Sequence, residues 1–143
     1  IAGEMSGHLF FNDRWYGFDD ATYAAARLLE ILAADPRPAS EIFADLPEPV
    51  ATPEIRLDLA EGEPHRLIDA LMEQATDFDE ATVTTLDGLR VDFADGWGLV
   101  RASNTQPCLV MRFEGTDESA LERIRKRFDG LIHTAAKRAG IAI

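Results

Sequence analysis

The chain has 143 residues, 46% of them hydrophobic, which is one ordinary domain with room for a small appendage and enough apolar mass for a core, so wholesale disorder is excluded. Its 14 basic and 26 acidic side chains leave a formal net charge of −12, which argues against nucleic acid or an anionic membrane as partner, since both need a basic face. Cys108 is the single cysteine, leaving no intrachain disulfide or cysteine-based zinc site. No apolar run approaches a membrane span and no secretory signal is recognisable, so a cytoplasmic setting is expected.

The chain opens Ile1-Ala2-Gly3-Glu4 without a methionine, and the expectation is a piece excised from a longer protein. Gly3-Glu4-Met5-Ser6-Gly7-His8 reads as a loop leaving a strand, where backbone and side chains can approach a ligand. Leu9-Phe10-Phe11 and an aromatic loop through Trp15-Tyr16-Gly17-Phe18 follow. Asp19 or Asp20 can cap a helix from Ala21 to Ala34, with Ala24, Leu28, Ile31 and Leu32 on its apolar face and Arg27 and Glu30 outside it. Asp35-Pro36 ends it. A short helix is expected from Ala39 to Ala44. Five of the seven prolines fall between Pro36 and Pro53, so residues 36–53 read as a semi-rigid linker between a first segment, 1–35, and a second, 54–143.

Beyond the linker the period changes. Ile55 to Leu59 alternates as a strand. A helix starting at Gly62-Glu63-Pro64 and running to about Ala75 would bury Leu67, Ile68, Leu71 and Met72. Strands are expected over 82–86, 90–93, 98–102 and 109–114, with hairpin turns at Asp87-Gly88 and Asp95-Gly96. Thr116-Asp117-Glu118-Ser119 opens a long helix to about Arg138, with Leu121, Ile124, Phe128, Leu131 and Ala135 inward and Gly140 as its end. The fold class is α+β: a mainly antiparallel four- to five-stranded sheet with two helices on one face, preceded by a strand-loop-helix tail. Cys108 reads as a small buried hydrophobe, and Trp15 and Trp97 as packing or loop anchors.

Two stretches carry chemistry. In Arg101-Ala102-Ser103-Asn104-Thr105-Gln106-Pro107 a guanidinium that offers two parallel donors precedes the hydroxyls of Ser103 and Thr105 and the amide of Asn104. That set suits a phosphate, although Ser, Asn and Pro are also ordinary turn formers. In the first loop the Glu4 carboxylate only accepts, which suits sugar hydroxyls, and Ser6 both donates and accepts. His8 titrates near neutrality and can serve as acid, base or phosphate partner, or simply be satisfied by backbone. Glu4 and His8 as a metal pair lack a third ligand.

Together the two loops resemble the sugar-binding and phosphate-binding loops of the α-D-phosphohexomutases, four-domain enzymes. Met5 and Asn104 look like the bacterial phosphomannomutase/phosphoglucomutase branch rather than the phosphoglucosamine mutases, the alternative within the family. The resemblance covers essentially the whole chain, as the end of domain three, a linker and domain four; one departure is Ala21 where glycine would be expected. It implies that the complete enzyme interconverts 1-phospho and 6-phospho hexoses through a bisphosphorylated sugar. A phosphoserine in domain one and a Mg²⁺ ion held by an aspartate-rich loop in domain two would take part. Glu4, Ser6 and His8 would contact the sugar, His8 as a candidate proton-transfer partner, while Arg101, Ser103, Asn104 and Thr105 would hold the non-reacting phosphate. Neither a serine-nucleophile loop nor an Asp-Gly-Asp-Gly-Asp run occurs in the 143 residues, so this stretch alone is expected to be inactive. It would be a monomer whose partners are the phosphosugar and the remaining domains, serving exopolysaccharide precursor synthesis. The rival reading is a stand-alone phosphate-ligand or protein-interaction module.

Overall fold

In the computed structural model, which describes residues 1–4, 6–74, 78 and 81–143, the chain divides into two units, Ile1–Pro47 and Glu48–Ile143. The first starts with an antiparallel pair, β1 (Ala2–Gly3) and β2 (Leu9–Phe10), with Gly3 opposite Leu9. Helices α1 (Ala21–Ala34) and α2 (Ala39–Ala44) occupy the spans expected. Of the two candidate caps, Asp20 starts α1: its carboxylate accepts from the Tyr23 backbone N–H at 2.9 Å, satisfying a donor the helix cannot. Asp35 ends it in extended backbone before Pro36, the conformation proline imposes on its predecessor.

The apolar face expected on α1 is met in part, at Ala24 and Leu32, which are half-buried. Leu28 and Ile31 are 44% and 60% exposed, whereas Arg27, expected outside, is half-buried with its guanidinium 5.0 Å from the Phe11 ring centre. The aromatic loop decides this. Trp15 stacks on Tyr23 with centroids 4.3 Å apart, and Phe11 meets Tyr23 edge-on. The packed side of α1 therefore centres on Tyr23 and Arg27, four residues apart, and the guanidinium is held by ring faces.

The second unit is a wholly antiparallel sheet. Its strands are β3 (Val50–Ala51), β4 (Ile55–Asp58), β5 (Thr82–Thr84), β6 (Leu89–Phe93), β7 (Gly96–Ala102) and β8 (Cys108–Gly115). They run in the order β3-β8-β7-β6-β5, with β4 also paired to β8. The two short strands share one edge of β8: Val50–Ala51 lie opposite Gly115 and Glu114, and Ile55–Asp58 opposite Met111 to Cys108. Buried Thr52 joins them, its N–H donating to the Phe113 carbonyl at 2.9 Å while its hydroxyl oxygen accepts from the Phe113 N–H at 3.2 Å. This replaces the ladder bonds that the edge would lose at Pro53. The strand β3 was not expected, because two residues inside a proline-rich stretch carry no period.

Helices α3 (Glu63–Met72) and α4 (Glu118–Ala139) pack on each other and on the same face of the sheet. Alternation sends Leu89, Val91, Val100, Leu109, Met111 and Phe113 inward to meet Leu67 and Leu71 of α3 and Ile124 and Phe128 of α4. Each large side chain so buried contributes about 1.5–3 kcal/mol. On α4 the buried face also includes Ile132, while the expected Leu121 and Leu131 are half-buried and pack against the core. Met72 is likewise half-buried, and Ala75, the expected end of α3, lies outside the described residues. Asp117 caps α4 through the Ala120 N–H at 2.8 Å. The β6–β7 turn is Ala94-Asp95, one residue earlier than expected, since Gly96 already pairs with Phe93. The turn before β6 matches expectation, with Gly88 at φ 81; a Cβ there would sit 2.3 Å from the Val100 carbonyl oxygen. Only glycine lets this turn lie against β7 beside Arg101.

Candidate functional site

The first loop is closed by its own backbone. The Glu4 N–H donates to the His8 carbonyl at 2.9 Å and the Gly7 N–H to the Glu4 carbonyl at 3.0 Å. Within it the Ser6 hydroxyl donates to a Glu4 carboxylate oxygen at 3.0 Å. His8 Nδ1 lies 2.5 Å from Asp19 Oδ2. The structure thus brings Glu4, Ser6 and His8 together, all exposed; Met5 lies outside the described residues. Asp19 was read only as a possible cap. With Asp20 taking that role, its neighbour is free to orient the imidazole, and Nε2 is left for a ligand.

The Asp19 hydrogen bond, and then its charge, raise the His8 pKa above the ordinary 6.5. A raised value means folding gains from His8 protonation: that gain is complete below pH 6.5 and is lost as pH rises through the folded value. Titration of His8 by NMR is expected to show a pKa above 6.5 that falls back in Asp19→Asn; a wild-type value at or below 6.5 would refute the pairing.

In the second unit the loop between β7 and β8 is shaped by Ser103. Its N–H donates to the Cys108 carbonyl at 2.9 Å, and its hydroxyl oxygen accepts from the N–H groups of Thr105 and Gln106 at 3.4 and 3.3 Å. Ser103, Asn104, Thr105, Gln106 and Pro107 line a cavity of about 150 Å³, whose other wall is Glu61, Gly62, Pro64 and His65 at the start of α3. Arg101 does not line it. Its guanidinium stands 3.8 Å from the Asp87 carboxylate in the β5–β6 turn, a loose pair in solvent that a ligand anion can displace. Cys108 is buried and free, as expected.

One feature was invisible to a reading along the chain. Register places Arg56 and Arg101 on either side of Val110, and Arg112 and Arg90 on either side of Leu99. Residues directly opposite share a face, so these four arginines gather on the sheet face away from the helices. Arg90 pairs with Asp92 at 2.6 Å and lies 4.2 Å from the Trp97 ring centre. The same register sets Asp58, Asp92 and Glu114 two residues along from Arg56, Arg90 and Arg112, so charges of both signs meet on the face from which the 101–107 loop emerges. The signal was in the register, which no single strand reveals.

Comparison with known proteins accounts for both units. The family model "Phosphoglucomutase/phosphomannomutase, C-terminal domain" matches residues 54–131, and that for the alpha/beta/alpha domain III of the same family matches residues 1–50. The chain is 54% identical over 128 residues to a phosphomannomutase/phosphoglucomutase of Pseudomonas putida, covering 90% of this chain and 27% of that protein. It is 53% identical over 136 residues to a phosphoglucomutase of Neisseria gonorrhoeae, covering 94% and 29%. A crystal structure of a phosphoglucomutase/phosphomannomutase family protein from Burkholderia thailandensis superposes with a TM-score of 0.78 at 48% identity, over 99% of this chain and 29% of that one. The chain spans less than a third of the length of these relatives. The loop at 3–8 lies within the first matched span and that at 101–107 within the second, and the chain belongs to the phosphoglucomutase/phosphomannomutase family.

Proposed function

We propose that this chain is the substrate-binding C-terminal part of a phosphohexomutase that interconverts mannose or glucose 1-phosphate and 6-phosphate through a bisphosphorylated hexose. The observation that carries it is the loop that follows Arg101, where the hydroxyls of Ser103 and Thr105 meet next to a guanidinium whose ion pair with Asp87 is loose and exposed, a donor set that suits an anion. Arg101, Ser103, Asn104 and Thr105 hold the phosphate that is not reacting, the hydroxyls and turn N–H groups filling acceptor positions that the guanidinium leaves. Glu4 accepts from sugar hydroxyls, Ser6 helps to fix Glu4, and His8, oriented by Asp19, moves a proton at Nε2. Binding the remote phosphate orients the reacting one, where positioning contributes most.

Phosphoryl transfer belongs to a phosphoserine and a Mg²⁺ ion supplied by other domains. Among the described residues no group of three His, Cys, Asp or Glu side chains could hold a metal ion, so no step is assigned through Mg²⁺ here. A cytoplasmic enzyme feeding exopolysaccharide precursors is part of the same proposal. A relative 33% identical over 139 residues is a probable phosphoglucosamine mutase, whereas those at 53–54% are phosphomannomutase/phosphoglucomutase or phosphoglucomutase, which favours phosphates of hexoses without an amino group. Matches of both units to one family also give the 3–8 loop a reason to precede the 101–107 loop, which a stand-alone module lacks. The 143-residue chain is expected to bind mannose 1-phosphate weakly and not to turn over glucose 1-phosphate. In an NMR titration amide shifts should concentrate at 101–105, and shifts spread evenly over the surface would sink the phosphate site; turnover by this chain would overturn its expected inactivity.

A further inference from the structure

We propose that Arg56 is a positioning residue of the 101–107 loop: by binding the Gln106 side-chain oxygen, it turns the Gln106 amide donors toward the anion that the loop holds. The inference rests on reading that loop as a phosphate cradle. Arg56 lies on β4, two strands from Arg101 and level with it across Val110, which sets their Cα atoms about 10 Å apart. Its Nη2 donates to Gln106 Oε1 and lies 3.3 Å from Cys108 Sγ. The Leu59 N–H, from the residue after β4, donates to the Pro107 carbonyl at 2.9 Å. Edge and loop are therefore tied by backbone at Pro107 and by side chain at Gln106.

The chemistry of the partners sets the direction. A guanidinium only donates, so the glutamine amide must present its oxygen to it. What Gln106 has left is its NH₂ group, two donors on a residue that lines the cavity beside Ser103, Asn104 and Thr105. The Gln106 backbone N–H already belongs to Ser103 Oγ, so the side chain is the group it can bring to an anion. A free amide in solvent would sample both orientations; a charge-assisted bond to its oxygen selects the one that favours phosphate. Arg56 then acts through Gln106 and at some distance from the bound anion.

The test is a titration of the 143-residue chain with glucose 1-phosphate, following the backbone amides of 101–105 and the Gln106 side-chain amide by ¹⁵N NMR. The wild type is expected to show movement at both. Arg56→Met should weaken affinity about three- to tenfold and abolish the Gln106 side-chain shift, with Arg56→Lys recovering part of each. Gln106→Leu should weaken affinity by the same factor, and Arg56→Met combined with Gln106→Leu should be no weaker than either alone. Affinity within about twofold of wild type in Arg56→Met, or a double variant weakened by the product of the singles, would overturn the role given to Arg56. Absence of movement at 101–105 in the wild type would instead overturn the phosphate reading on which the inference rests.

Discussion

Phe128→Ala is expected to lower the unfolding free energy of the second unit by about 3–5 kcal/mol. Phe128 is fully buried, with its ring centroid 5.3 Å from that of Phe113 and 6.2 Å from that of Phe78. The sheet makes room for it at Gly98, where a Cβ would come within 2.3 Å of the Phe128 Cε2. The ring thus sits in a notch that only a glycine leaves open. Removing it empties space bounded by β7, β8 and Phe78, and a backbone-lined notch cannot collapse by side-chain repacking alone. Urea unfolding should show a lower midpoint at an unchanged slope. A loss below about 1 kcal/mol would mean that the site collapses and that the notch does not hold the ring. Against a total of about 5–15 kcal/mol for an ordinary domain, the expected loss takes the unit close to its limit.

Arg101→Ala is expected to weaken binding of glucose 1-phosphate about 10- to 100-fold, because a hydrogen bond to a charged group is worth about 1.5–3 kcal/mol and each 1.4 kcal/mol is tenfold. Arg101→Lys should fall between, keeping the charge but losing the planar fork. The fold should survive both, since the side chain leaves the sheet on the face away from the core and its ion pair with Asp87 is loose and exposed. Gly88 gives an independent handle: its turn rests against the Arg101 Cα, which a Cβ would approach to 2.7 Å, so the turn also fixes where the guanidinium starts. Wild-type affinity in Arg101→Ala would remove Arg101 from the site, and unchanged salt dependence in that variant would show that the charge never met the ligand.

The elements were legible where a period or a punctuating residue marks them. Both α1 and α2 occupy their expected spans because caps and prolines bound them, and β6 to β8 are announced by alternation and by Asp87-Gly88. Failures occur where a neighbour outvotes the local pattern. Arg27 is drawn inward by Phe11 and Tyr23 against the expected face of α1. The strand β3 exists because β8 extends far enough to receive it, which two residues cannot signal. The α4 stripe includes Ile132, since a long helix is read against the twisted sheet beneath it and a fixed period drifts.

The candidate site divides along the same line. Composition, spacing and residue type are properties of the chain taken in order, and they suffice for the α+β class and for the two loops that point to sugar and phosphate. The pairing of His8 with Asp19, eleven residues away, and of Arg56 with Gln106, fifty residues away, depends on how strands and turns are set side by side. So does the placing of Arg56, Arg90, Arg101 and Arg112 on one face of an acidic chain. Only folding brings such partners within a few ångströms, the range over which hydrogen bonds and unscreened charges act.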